Sequence, residues 1–159
     1  MRILVLSDSH GREQFALKAI ESQPTVNVVI HLGDGADDLV RASSRYQTKL
    51  FIQVAGNNDY CSILPYDRIA EFDNVKLFCT HGHTHNVKYS LEDLKNDAKR
   101  NGCQILLYGH THDAVVDYED GLYILNPGSV GGIGLGGASY GIIDITPSGI
   151  VCNVIKLQF

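Results

Sequence analysis

The chain of 159 residues carries seven histidines, and five of them fall in two short clusters, His81-Gly82-His83-Thr84-His85 and His110-Thr111-His112. Imidazole is the commonest metal ligand among side chains, so the clustering asks for a metal. Other oxygen and nitrogen ligands recur in the same manner, at Asp8-Ser9-His10, at Gly33-Asp34 and at Gly56-Asn57-Asn58-Asp59. In extended backbone, residues i and i+2 point the same way, so the Asp8/His10 and His110/His112 pairs are each expected to approach one centre. Asp8, His10, Asp34, Asn57, His81, His110 and His112 together offer four imidazoles, two carboxylates and one amide oxygen, with no thiolate. That mixture suits divalent Mn, Fe, Ni or Zn. Seven side chains are too many for one ion with an open position, and a carboxylate can bridge two. Two ions about 3.5–4 Å apart are the usual clamp for in-line displacement at phosphorus.

Charge agrees with an anionic substrate handled by metal. The formal net charge is −5, with no basic run. Proteins that hold nucleic acid through its phosphates show a basic face, so nucleic acid is expected here only as a phosphodiester substrate. Two divalent ions would outweigh Asp8 and Asp34 and leave the site positive within an acidic chain.

The elements that must position these residues are legible from periodicity. Arg2–Ser7, Val26–Leu32 and Lys49–Val54 are apolar runs expected as buried strands. Arg12–Ser22 has apolar residues at helical spacing, and 36–46 is expected to be helical too. This β-α-β-α-β order implies a parallel sheet. Further on, Ile69–Phe72 and Val75–Thr80 flank an Asp73-Asn74 turn. Ser90 is placed to cap a helix through Arg100, with Asp93 at the capping-box position and Gly102 ending it. Gln104–Tyr108 reads as a buried strand. Asp120-Gly121 is a hairpin signal between Ala114–Tyr118 and Tyr123–Asn126. Tyr140–Ile145 and Ile150–Leu157 close the chain as a strand pair. In an α/β sheet, sites form beyond the carboxyl ends of strands, and each polar cluster follows an apolar run at once.

In these motifs the sequence resembles the calcineurin-like metallophosphoesterases, whose D-x-H, GD, GNH[DE], H and GHxH motifs occur here in order through almost the whole chain. The short length and Asn126-Pro127-Gly128-Ser129 are similar to the small bacterial and archaeal phosphodiesterase branch. The resemblance implies a four-layer α/β/β/α sandwich with two mixed sheets. It implies that Asp8, His10 and His112 hold one ion, that Asn57, His81 and His110 hold the other, and that Asp34 bridges. It implies hydrolysis of a phosphoester by a metal-bound hydroxide, most simply as a manganese-dependent phosphodiesterase.

There are two departures. Asn58 stands where larger members place a histidine that stabilises the leaving group, and an amide cannot act as a general acid; His83 is the candidate replacement. The segment from Val130 to Gly137 lacks the arginine common in related small members. It contains G-x-G-x-x-G letter for letter, but the expected strand that follows excludes a dinucleotide fingerprint and leaves a glycine loop near the site. His31 is expected to pack or to orient a ligand, Asp59 to orient one, and His85 to lie on the surface. With no CxxC pair among the four cysteines, a structural zinc site is not expected, and Cys79 and Cys152, in apolar strand-like stretches, read as small buried thiols.

The sequence thus reads as one domain over residues 1–159, cytoplasmic, with no apolar run near the roughly 20 residues that cross a bilayer. Its partner is a small phosphoester, and a homo-oligomer is compatible. A phosphomonoesterase or nucleotidase, and a weakly or non-catalytic binding scaffold on the same fold, are the competing functions.

Overall fold

The computed structural model describes residues 1–158. Strand β1 (Arg2–Leu6) pairs in parallel with β2 (Val28–His31), and β2 with β3 (Leu50–Gln53). The crossovers are α1 (Glu13–Glu21) and a 3-10 turn (Ala36–Leu39) that runs into α2 (Val40–Arg45). The last two strands, β9 (Ser139–Thr146) and β10 (Gly149–Lys156), add antiparallel on the other side of β1, so the first sheet runs β10-β9-β1-β2-β3. The second sheet runs β4-β5-β6-β8-β7. Its strands are β4 (Asp67–Phe72), β5 (Val75–Thr80), β6 (Ile105–Leu107), β7 (Val115–Glu119) and β8 (Leu122–Asn126). Strands β5, β6 and β8 are parallel, and both edge strands are antiparallel.

Three apolar layers explain the stacking. On β1, Ile3 and Val5 enter the core between the sheets, where they join Val28, Leu77, Ile105 and Leu125. Leu4 and Leu6, pointing the opposite way, meet Ala16, Ala19 and Ile20 of α1 and Ala42 of α2. Over the second sheet, Phe78, Leu106 and Ile124 cover Leu94 and Ala98 of α3 (Glu92–Arg100). Strands buried on both faces need apolar residues throughout, which is why the sequence shows continuous runs rather than alternation. The result is a four-layer α/β/β/α sandwich of two mixed sheets.

Two local expectations are corrected. Ser90 does not close a capping box: its hydroxyl accepts the Glu92 N–H at 3.1 Å, and Leu91 stands at the helix start without a side-chain cap. The Ser90 N–H is already committed to the Asn86 carbonyl in the preceding turn, which moves the helix start along by one residue. At the other end, Gly102 and Cys103 donate to the Lys99 and Ala98 carbonyls in a Schellman closure, as expected. His85 is not a surface residue. Its side chain is only 12% exposed, with Nε2 at 3.6 Å from Asp67 and 3.4 Å from Asp97, carboxylates that β4 and α3 bring together.

Candidate metal centre

Five strands of the two sheets end at one place. Asp8 and His10 follow β1, Asp34 follows β2 and Asn57 follows β3, all from the first sheet; His81 follows β5 and His110 and His112 follow β6, from the second. Their side chains assemble into two groups, Asp8–His10–His112 and Asp34–His81–His110, whose ligand atoms lie within 4.8 Å of one another in each group. Each group draws on both sheets.

The pairs do not converge by the extended geometry expected of them. Asp8, His10, Asp34, His110 and His112 all have φ between 47° and 67°, the left-handed region. Asp and His tolerate that region better than most residues. Tertiary hydrogen bonds hold them there: Asp8 N–H donates to the Gly33 carbonyl and His10 N–H to the Asp34 carbonyl, each at 3.0 Å. Because the backbone kinks, His110 and His112 are divided between the two groups instead of sharing one. The Asp34 turn presses against the Asn57 turn so closely that a Cβ on Gly33 would lie 2.6 Å from the Gly56 nitrogen, and only glycine fits at either position.

The carboxylates are held by a defined set of donors. Asp8 is fully buried. Its Oδ2 accepts the Ser7 hydroxyl at 2.5 Å and the His110 N–H at 3.1 Å, which leaves Oδ1 to face His112 Nε2 at 3.1 Å and His10 Nε2 at 3.6 Å. Burial alone would raise this carboxyl, but hydrogen bonds from His10 and His112 and the His81 charge outweigh it and hold the group well below the usual carboxylate range. Asp34 Oδ2 lies between the groups, 3.4 Å from His81 Nε2 and 3.7 Å from His10 Nε2. Here too burial is outweighed, chiefly by His81, and the pKa falls to about 2.

The histidines carry the test of whether a cation fits. His81 Nδ1–H donates to the Leu32 carbonyl at 2.7 Å, so in the neutral ring Nε2 is a bare lone pair. That lone pair faces Asn57 Oδ1 and His110 Nδ1, each at 3.2 Å, and Asp34 Oδ2. His10 and His112 likewise bring their Nε2 atoms to 3.3 Å from each other and toward Asp8. Converging lone pairs of this kind are reconciled by a cation, or in its absence by protons. Burial opposes protonation of His81, but Asp34 and Asp8 overcome it and raise its pKa; Asp8 does the same for His10. His110 goes the other way, to about 4, through burial and the neighbouring His81 charge.

Asn58 and His83 take different positions. Asn58 donates its backbone N–H to Asp34 Oδ1 at 2.8 Å and its side-chain amide to Oδ2 at 2.7 Å. It therefore grips the carboxylate between the two groups. The His83 ring centre stands 5.4 Å from that of His81 and 6.2 Å from that of His110, and the ring meets Tyr66 in a T-shaped contact. Among the described residues its buried Nδ1 has no hydrogen-bond partner, and burial together with the His81 charge lowers its pKa.

Two supporting serines carry no signal of their own in the sequence, unlike Asp59, which is expected there to orient a ligand. Ser7 orients Asp8, and Ser129, buried in the NPGS segment, donates to the Asp8 carbonyl at 2.7 Å. Buried serines are invisible to pattern reading. Asp59 accepts four backbone N–H groups, from Asp34, Gly35, Ala36 and Gly56, and so ties the Asp34 and Asn57 turns together. A groove of about 610 Å³ opens beside His10 and Asp34; its walls include Asp37, Asp59, Tyr60 and Cys61, and no Lys or Arg among the described residues lines it.

The calcineurin-like phosphoesterase superfamily domain matches residues 1–148. The chain belongs to that superfamily. A phosphodiesterase of Methanocaldococcus jannaschii is 31% identical over 160 residues, covering 91% of this chain and 93% of its own. The crystal structure of a predicted phosphoesterase from Streptococcus pneumoniae superposes with a TM-score of 0.82 at 27% identity, covering 98% of this chain and 88% of that one. Vps29 of Entamoeba histolytica, solved with zinc, shares the fold at a TM-score of 0.72 and 19% identity, covering 99% of this chain and all of its own. No helix among the described residues is long and apolar enough to cross a membrane.

Proposed function

We propose that this metal-dependent phosphoesterase is a phosphodiesterase working with two divalent ions, one held by Asp8, His10 and His112 and the other by Asn57, His81 and His110, with Asp34 between them. The observation that carries the reading is the position of Asp34 Oδ2, within 3.7 Å of a histidine from each group. Bound ions of this kind activate water at neutral pH and neutralise charge that develops on phosphoryl oxygens. Manganese suits the imidazole and carboxylate donors, as do iron, nickel and zinc.

The chain's own residues do the rest. Asp8 and Asp34 remain ionised at neutral pH, and the hydrogen bonds from Ser7, His110 and Asn58 fix which of their oxygens face the ligand atoms. His83, close to His81 and His110, is the group available to hydrogen-bond a departing alkoxide; its lowered pKa makes it a neutral donor at pH 7 rather than an imidazolium. The groove beside His10 and Asp34 gives a second ester substituent somewhere to lie. Its acidic, cation-free walls disfavour substituents that carry further phosphates.

The test is manganese-stimulated hydrolysis of bis(p-nitrophenyl) phosphate compared with the p-nitrophenyl monoester. A preference for the diester, lost in Asp34→Ala and His110→Ala, supports the proposal. A preference for the monoester moves the protein to the monoesterases. Absence of turnover in the metal-loaded protein leaves the binding scaffold, a role for which seven intact candidate ligands would be superfluous.

A further inference from the structure

Beneath the metal centre lies a chain of hydrogen bonds that none of the candidate ligands supplies from its own side chain. Gly33 N–H donates to His31 Nδ1 at 3.2 Å, so that nitrogen is unprotonated and the ring proton sits on Nε2. His31 is fully buried, and burial pushes its pKa down and keeps it neutral. Its Nε2–H then donates to Ser9 Oγ at 3.1 Å. The Ser9 hydroxyl, having accepted from His31, donates in turn to Asp38 Oδ2, which also accepts Gly11 N–H at 3.0 Å. Every donor in the series has one acceptor, and the direction of each bond is set by the one before it. His31 and Ser9 are fully buried, so water offers little substitute there, while Asp38, 8% exposed, reaches the edge of the groove.

Placement gives this relay its meaning. Ser9 sits between Asp8 and His10, while His31 ends β2 and Asp38 lies in the 3-10 turn just past Asp34. The loop bearing Asp34 rests directly on the relay: a Cβ on Gly35 would come within 1.8 Å of Ser9 Oγ and 2.9 Å of Asp38 Oδ2. The β1 loop, with two ligands of one group, is thereby set against the β2 loop, with the carboxylate shared by both. Asp59 braces the Asp34 turn toward Asn57 but makes no bond to the β1 loop. That separation is governed from the buried side by Ser9, with two backbone bonds between the loops beside it.

We propose that His31, Ser9 and Asp38 are positioning residues that set the spacing of the two metal ions. The proposal rests on the two-ion reading above. None of the three touches an ion; each acts through the loops.

Manganese binding to the purified chain separates this role from simple stabilisation. The wild type is expected to take up two ions by calorimetry and to show an exchange-coupled pair in its electron paramagnetic resonance spectrum. Ser9→Ala is expected to weaken the second ion by about 10–100-fold and to diminish the coupled signal, while the circular dichroism spectrum is unchanged. Asp38→Ala should shift both readouts the same way, and Asp38→Asn, which keeps an oxygen acceptor for Ser9 and Gly11, should restore them. If Ser9→Ala does not fold, the Asp38 pair decides alone. Unchanged affinity and coupling in the folded variants, or no rescue by Asp38→Asn, overturns the relay while leaving the two-ion reading intact. A wild type that binds fewer than two ions removes that reading, and the relay with it.

Discussion

At the scale of single residues, the site is a contest between protons and cations. His10 and His81 have raised pKa values because carboxylates face them, and a metal needs the same nitrogens unprotonated. In the metal-free chain these two groups contribute stability that is complete below about 6.5, the ordinary histidine value, and is lost as the pH climbs through the raised values. Metal affinity runs the opposite way, rising with pH over that window. Calorimetric titration with manganese in buffers of different ionisation enthalpy should therefore show proton release below neutral pH, shrinking as the pH rises; uptake independent of buffer would contradict the assignment. Asn58 is the other decisive residue. Its amide grips Asp34, whereas a histidine there would supply an acid worth a factor of about 10²–10⁴. Asn58→His is expected to raise kcat on diesters with poor alkyl leaving groups by about tenfold or more and to change little with p-nitrophenyl leaving groups. Equal gains on both substrates would show that the introduced imidazole acts on something other than leaving-group departure.

At the scale of elements, the turns after β2 and β3 form one unit joined by Asp59. Its carboxyl stays below the ordinary carboxylate range because the four backbone N–H groups it accepts outweigh its burial. Asp59→Ala leaves four donors without their partner. It should cost a few kcal/mol, at about 1–3 kcal/mol for the N–H groups of buried Asp34 and Gly56 and less for those of half-buried Gly35 and Ala36, and lower manganese affinity beyond the roughly 10–100-fold seen for outer-shell changes. Thermal denaturation and metal titration of the variant check both. The sequence made the strands and the clustered polar residues legible, because short apolar runs that stop at Asp, Asn or His fit buried strands ending at a polar site. It did not make the backbone at those ends legible. The left-handed turn at Asp8 is held by its N–H bond to the Gly33 carbonyl and that at His110 by its N–H bond to Asp8 Oδ2, partners that lie tens of positions away. The division of His110 and His112 between two groups follows from those kinks, which the i, i+2 spacing alone does not show. His85 was misplaced for the same reason, since Asp67 and Asp97 reach it only through the fold.

At the scale of the whole molecule, the cations ought to stabilise the chain as well as serve chemistry. A ligand present at about 100 times its dissociation constant adds about 2.7 kcal/mol, which is about 5–10 °C in Tm for a protein of this size. Chelation should lower Tm by that much, and manganese should restore it. The larger consequence comes from where the candidate ligands originate. Each group takes residues from both sheets, which are also joined by apolar packing across the sandwich interior and by hydrogen bonds such as those of His81 to Leu32 and His110 to Asp8. A bound ion would act as a rivet through two plates, so that neither sheet could breathe without opening the joint. Hydrogen exchange at Val5 and Ile30 in one sheet and at Leu77 and Leu107 in the other should therefore slow together when metal is added, although none of the four touches the site.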